Sequence, residues 1–327
     1  MNIDIHGHFI PPTMIDFIKQ HGEKVGKTYL EEDGVPFILY RSGRKDKYRK
    51  DFYDAETILA QMKATKVDKT ITALSPGFFH YKADAALALE SSQIANDWVA
   101  AFAKANPDHF VGMATTPMQD SEIALKELKR AHEELGLNGL MITSMINEQM
   151  LDDEAFFPVY AYCAEKGIPI YLHPFYPGAH PPYLQYYTIN LIGFLTQTTL
   201  GLTHLVMGGV FEKFPELKVI ASHGGGYFPY QFGRLKHVWN VRPEGKVANI
   251  DSPEKYLKNL YFDTITHSTP ALQFLVDTYG ADHVVMGTDY PFDMADPAPV
   301  DSVDALDITE EQRAQITHKN AEMLFKL

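Results

Sequence analysis

One cysteine, Cys163, is all that this 327-residue chain carries. No internal disulfide can form, and its setting in FFPVYAYCAEKG makes it an apolar position on a helix. No apolar run approaches the ~20 residues that a helix needs to span a bilayer. The first residues show no charged leader followed by an apolar core and a small-residue cleavage site. A soluble, cytoplasmic protein is the expectation. Positive charge is also in deficit: 29 Lys and Arg stand against 42 Asp and Glu, for a formal net charge of -13. Nucleic acid and anionic membranes select basic faces, so neither is expected as a partner, although a basic pocket for a small acid remains compatible with that total. There is no Gly-rich phosphate loop, no G-x-S-x-G elbow, no cysteine at a strand-helix turn and no internal repeat. Nucleotide-dependent and covalent serine or thiol mechanisms therefore leave the leading candidates.

What the chain does have is a series of short apolar runs bounded by turn residues: MNIDI, KTITAL, HFVGMATTP, GLMITS, IPIYLH, LKVIASH, LYFDTI and HVVMGTD. Such runs read as buried parallel strands. Their number is that of a closed (β/α)8 barrel, the fold class expected for residues 1–327 as a single α/β domain. Helical patterns lie between them. Ala124, Leu128, Ala131 and Leu135 form a stripe closed by Gly136. Ser252-Pro253 and Thr269-Pro270 place a capping residue ahead of a proline, and Thr309 with Gln312 has capping-box spacing. Residues 21–54 break the rhythm: TYLEEDGVPFILY predicts a hairpin turning at Asp33-Gly34, followed by the basic run RSGRKDKYRK. This stretch is expected to be a small insertion after the first strand that covers the barrel mouth. A second irregular stretch, HPFYPGAHPPYLQYY, is expected to wall a pocket, with His180 inside it.

Several chemically active side chains each follow one of these runs. His6 and His8 flank Gly7, so a period of two turns both imidazoles to one side of the first strand. His173 follows the fifth strand, His223 the sixth and Asp289 the eighth. All should emerge at the same end of the barrel, where such folds keep their chemistry. His6, His8, His173 and Asp289 offer nitrogen and oxygen donors suited to one divalent ion, zinc in first place and manganese, iron or cobalt as alternatives. An ion held there lowers the pKa of a bound water to about 7. His223, followed by three glycines, is placed to exchange a proton with it. The remaining histidines are expected to be structural or solvated.

The segments DIHGHFIPP, YLHP, MGGVFEKFPELKVIASHGGGYFPYQFGRLKHVWNVRP and MGTDYPF resemble the amidohydrolase superfamily, in particular its aminocarboxymuconate semialdehyde decarboxylase branch. The similarity runs nearly end to end. It implies a distorted TIM barrel, one metal ion and non-oxidative C–C cleavage that releases carbon dioxide. His6, His8, His173 and Asp289 are then the metal ligands, with His223 and Asp289 as catalytic residues. No lysine stands at the end of GLMITS, where binuclear members carry one, so a single metal is expected. By the same resemblance Arg234 reaches a neighbouring subunit's site, implying a homodimer, and Phe292 lines the pocket. Arg41, Lys47 and Arg49 align loosely with the family's basic substrate-binding residues. Two positions depart from the pattern: Phe175 replaces a tryptophan, and a second tryptophan is lost near Asn190. The expected substrate is a small conjugated or aromatic-derived acid. Hydrolysis of a lactone, amide or ester, hydration of an unsaturated dicarboxylate, and a metal-binding barrel without turnover remain the alternatives.

Overall fold

The chain alternates strands that are buried on both faces with covering helices. Described in a computed structural model are residues 1–178, 181–248 and 251–327; His180 lies outside them. In chain order the strands are β1 (Ile3–Phe9), β2 (Lys27–Glu32), β3 (Val35–Tyr40), β4 (Lys45–Lys47), β5 (Lys69–Leu74), β6 (Phe110–Gly112), β7 (Leu140–Thr143), β8 (Met145–Ile146), β9 (Gln149–Met150), β10 (Ile170–His173), β11 (Val219–Ala221), β12 (Leu260–Asp263) and β13 (Val284–Val285). Eight of them, one from each apolar run, form the barrel wall. One parallel sheet has the order β1-β5-β6 and the other β13-β12-β11-β10-β7. Isolated parallel bridges join them, Ala114 to Leu140 on one side and Gly7 to Tyr290 on the other. Every residue of β1, β7, β10, β11 and β12 is buried, as expected of strands covered on one face by helices and on the other by the barrel interior.

The β13 side of the ring closes around the first histidines. Ile5 N–H donates to Met286 O at 3.0 Å, Asp289 N–H to His6 O at 2.8 Å and His8 N–H to Tyr290 O at 2.8 Å. Gly7 permits this packing, because a Cβ there would lie 2.5 Å from Thr70 Cγ2 on β5. The outer helices follow the sequence signals with one shift. Ala124, Leu128 and Ala131 are fully buried, and the Thr309–Gln312 capping box is formed. The cap of helix Thr269–Tyr279 is Ser268 rather than Thr269, since Ser268 Oγ accepts from Ala271 N–H. Ser252 makes no side-chain cap bond to the 3-10 helix Pro253–Asn259.

Between β1 and β5, helix Pro12–Val25 runs through His21 and stops at Gly26, whose φ is 69°. The non-helical part of the 21–54 stretch thus begins at Lys27. β2 and β3 pair antiparallel around Asp33 and Gly34, both at positive φ (50° and 75°), the condition for a two-residue type I′ hairpin. β4 adds a third strand from the basic run.

Candidate metal centre and active site

β1 delivers His6 and His8, the end of β10 delivers His173, and the turn after β13 delivers Asp289. One donor atom from each of the four lies within 4.8 Å of every other. His6 Nε2 and His8 Nε2 are 3.0 Å apart. Asp289 Oδ1 lies 3.4 Å from the first and 3.2 Å from the second. The His173 ring centroid is 5.5 Å from that of His6 and 5.3 Å from that of His8. Asp289 and His223 hold left-handed backbone, φ 66° and 54°, which non-glycine residues adopt at a conformational cost and which clusters at functional sites.

The far side of each ring explains its orientation. His6 Nδ1 donates to Asp263 Oδ2 at 2.9 Å, which leaves the Nε2 lone pair facing the cluster. Tyr171 OH donates to the same oxygen at 2.9 Å, while Asp263 Oδ1 accepts from Gly224 N–H at 2.7 Å. His173 Nδ1 meets Pro174 O at 3.2 Å. Burial pushes His8 down to about 4 and holds His173 well below the usual histidine range, with neighbouring imidazoles adding to the effect, so both rings are neutral bases. Burial also opposes charge on His6, but the Asp289 and Asp263 carboxylates outweigh it and raise its pKa. Burial by itself would raise the Asp289 pKa; the nearby imidazoles of His6, His223 and His8 hold it well below the ordinary carboxylate range.

These residues fit a divalent cation. Imidazole lone pairs and a carboxylate oxygen converge at separations that ligands sharing one ion adopt. Asp289 Oδ1 is buried with no hydrogen-bond partner among the described residues. Thr143 stands at the end of β7, so this strand brings no lysine to the cluster.

The cluster opens into a cavity of about 930 Å³, lined in part by His173, His223, Asp289 and Phe292. His223 Nε2 lies 3.5 Å from Asp289 Oδ2. Phe292 packs edge-on to His8, with ring centroids 5.2 Å apart. Phe175 and Asn190 line the cavity too.

Of the basic residues singled out, Arg41, Lys47 and Arg49 all line the cavity, but two are engaged elsewhere. Arg41 donates to Glu23 O at 3.1 Å. Arg49 pairs with Asp51 at 2.9 Å and donates to Pro291 O. Arg234 is exposed on helix Phe228–Val241 and does not line the cavity of its own chain. Most other histidines are satisfied structurally, as with His204 on Asp152 (2.8 Å) and His283 on Leu260 O (2.7 Å). His80 is the exception: it is buried, lines the cavity and has a buried Nε2 with no partner among the described residues. Sequence reasoning also passed over Lys27 and Asp263. The strand-end rule that found Asp289 would have found Asp263, which closes the run LYF.

Eight parallel strands with three imidazoles and a carboxylate at their C-terminal ends define a metal-binding TIM barrel. The chain belongs to the amidohydrolase family, whose model matches residues 3–327. Within that family it falls on the decarboxylase branch. It is 30% identical to a 2-amino-3-carboxymuconate-6-semialdehyde decarboxylase of Dictyostelium discoideum, across 98% of this chain and 90% of that protein. The crystal structure of 5-carboxyvanillate decarboxylase from Sphingomonas paucimobilis superposes with a TM-score of 0.86 at 25% identity, covering 100% of this chain and 99% of that one. The 5-carboxyvanillate decarboxylase of Novosphingobium aromaticivorans, complexed with manganese and 4-hydroxy-3-methoxy-5-nitrobenzoic acid, gives 0.81 at 26% identity, over 100% and 96% of the two chains.

Proposed function

We propose that this chain is a metal-dependent, non-oxidative carboxy-lyase acting on a small conjugated or aromatic carboxylic acid. The observation that carries the reading is the His6, His8, His173 and Asp289 quartet, four donors within 4.8 Å opening into one cavity beside His223. These four side chains would hold a single divalent ion, zinc by donor type, with the manganese of the Novosphingobium relative as the alternative. Bound there, the ion supplies positive charge that orients and polarises oxygen atoms of the substrate.

The chain's own groups do the rest. When carbon dioxide departs, the carbon left behind must accept a proton. His223, at the cavity wall with its Nε2 toward Asp289 Oδ2, is placed to deliver it, and Asp289 fixes that ring nitrogen. Phe292 and Phe175 supply apolar walls against a planar conjugated substrate and exclude water from its ring face. Residues 21–54 act as the cap of the cavity, a role supported by Ile38 and Tyr40 of β3 sharing its lining with His173.

The working unit in this reading is a homodimer. Arg234 makes no ion pair among the described residues, and the surface around it carries exposed Tyr230, Val238 and Val241, which suits an arginine that reaches the partner's cavity. The buried thiol of Cys163 fits a reducing cytoplasm. The test is incubation of metal-replete protein with a panel of conjugated and aromatic acids. Carbon dioxide stoichiometric with product is expected; product that instead gains the elements of water, with no carbon dioxide, would mean hydrolysis or hydration and overturn the reading.

A further inference from the structure

The cavity has a second pole. The whole chain is acidic, yet eight Lys and Arg side chains line this cavity against three Asp, so its lining favours an anionic ligand. Most of those cations are accounted for. Arg44 pairs with Asp46 at 2.8 Å, Arg49 with Asp51 and Lys45 with Glu32, while Lys24, Lys47 and Lys82 are exposed.

Lys27, the first residue of β2, differs. It is 7% exposed and has no carboxylate partner among the described residues. Its ammonium faces two rings, Phe78 at 5.2 Å and Tyr40 at 5.5 Å from the centroids. Beyond Phe78 stands His80, its ring centroid 6.2 Å from that of Phe78. His80 Nδ1 is 2.9 Å from Ser91 Oγ, its Nε2 is buried without a partner, and its backbone is left-handed at φ 52°. Two nitrogen groups on residues more than nine-tenths buried therefore flank Phe78 in the cavity lining, with no carboxylate partner for either among the described residues. Burial, with the charges of Arg44 and Arg41, pushes Lys27 down to about 7, and burial with the Lys27 charge holds His80 well below its usual range. An anion held at this wall of the cavity would offset the Lys27 charge that bears on both groups.

We infer that Lys27 and His80 form a second anion subsite in the wall of the cavity, apart from the metal quartet, and that the substrate is an acid bearing another acidic group that docks there. This rests on the carboxy-lyase reading for which carboxylate is lost, but not for the subsite itself. The quartet holds the reacting end, while Lys27 selects for the far end. Tyr40 and Phe78 keep the ammonium in place through cation-π contact.

The test compares benzene-1,3-dicarboxylate with its neutral isostere 3-carbamoylbenzoate, by calorimetry on the metal-replete wild type and on Lys27→Gln and Lys27→Arg. The wild type is expected to prefer the diacid at least ~10-fold, a typical gain for one charge-assisted contact. Lys27→Gln brings the ratio near one, and Lys27→Arg keeps most of it. A wild-type ratio near one, or a ratio that Lys27→Gln leaves intact, overturns the subsite. Should Lys27→Gln fail to fold, Lys27→Met, which fills the same apolar box, takes its place, and the wild-type ratio needs no variant. Carbon dioxide release without diacid preference removes the subsite and keeps the carboxy-lyase. A preference that Lys27→Gln abolishes, in a protein that decarboxylates no acid, keeps the subsite and removes the carboxy-lyase.

Discussion

Asp263 accepts a hydrogen bond from His6 at 2.9 Å, Nδ1 to Oδ2, with both side chains fully buried. Its other oxygen accepts the Gly224 amide next to His223. One carboxylate thus sets both the tautomer of an imidazole in the quartet and the position of the loop that carries His223. Asp263→Asn is expected to weaken metal binding about 10–100-fold. Competition against a chromophoric chelator measures this, and unchanged affinity would show that His6 needs no such anchor.

His223 faces the cavity but is not one of the quartet. Its replacement by alanine is expected to leave metal content at one ion per chain while lowering turnover ~10²–10⁴-fold, the range for losing a general acid-base group. Metal analysis beside a carbon dioxide assay checks both halves. A fully active variant excludes the role.

An ion that binds the folded quartet and not the unfolded chain stabilises the native state, so metal loading should raise stability. A metal concentration 100 times Kd is expected to add about 2.7 kcal/mol. Thermal melts across a zinc or manganese series give the shift, and the quadruple alanine variant should show none.

Lys27 gives a pH signature. Its folded pKa is about 7 against an ordinary 10.5, so between those values the unfolded chain holds a proton that the folded chain has released. Stability from this group is therefore lowest below pH 7 and rises as pH climbs from about 7 toward 10. Urea titrations should show a steeper rise for the wild type than for Lys27→Met; parallel curves would mean the lysine is not buried as described.

Arg234 and His223 allow a mixing experiment. If Arg234 serves the partner's cavity, Arg234→Ala and His223→Ala proteins, each impaired alone, regain activity when refolded together, because one cavity of the mixed dimer has both groups. No recovery would assign Arg234 to its own chain or to the surface alone.

The barrel and its quartet were legible because both are written locally. Each strand is a short apolar run, and each chemically active residue directly follows one, so chain order alone places His6, His8, His173, His223 and Asp289 at one end. Lys27 and His80 left no such trace. One begins a hairpin strand, the other follows a 3-10 turn, and only packing across Phe78 brings them together. The cap on Ser268 instead of Thr269 is a one-residue matter of which hydroxyl meets a free amide, which sequence spacing does not resolve.

The hydrogen bonds that join β1 to the segment after β13 lie among the residues of the quartet: Asp289 N–H to His6 O, and His8 N–H to Tyr290 O. Two ligands thus arrive with the earliest-made stave and one with the last. A chain still emerging from the ribosome has the imidazoles long before it has their carboxylate, and it cannot grip a cation with all four until its two ends have met. Loading therefore reports on the completed ring.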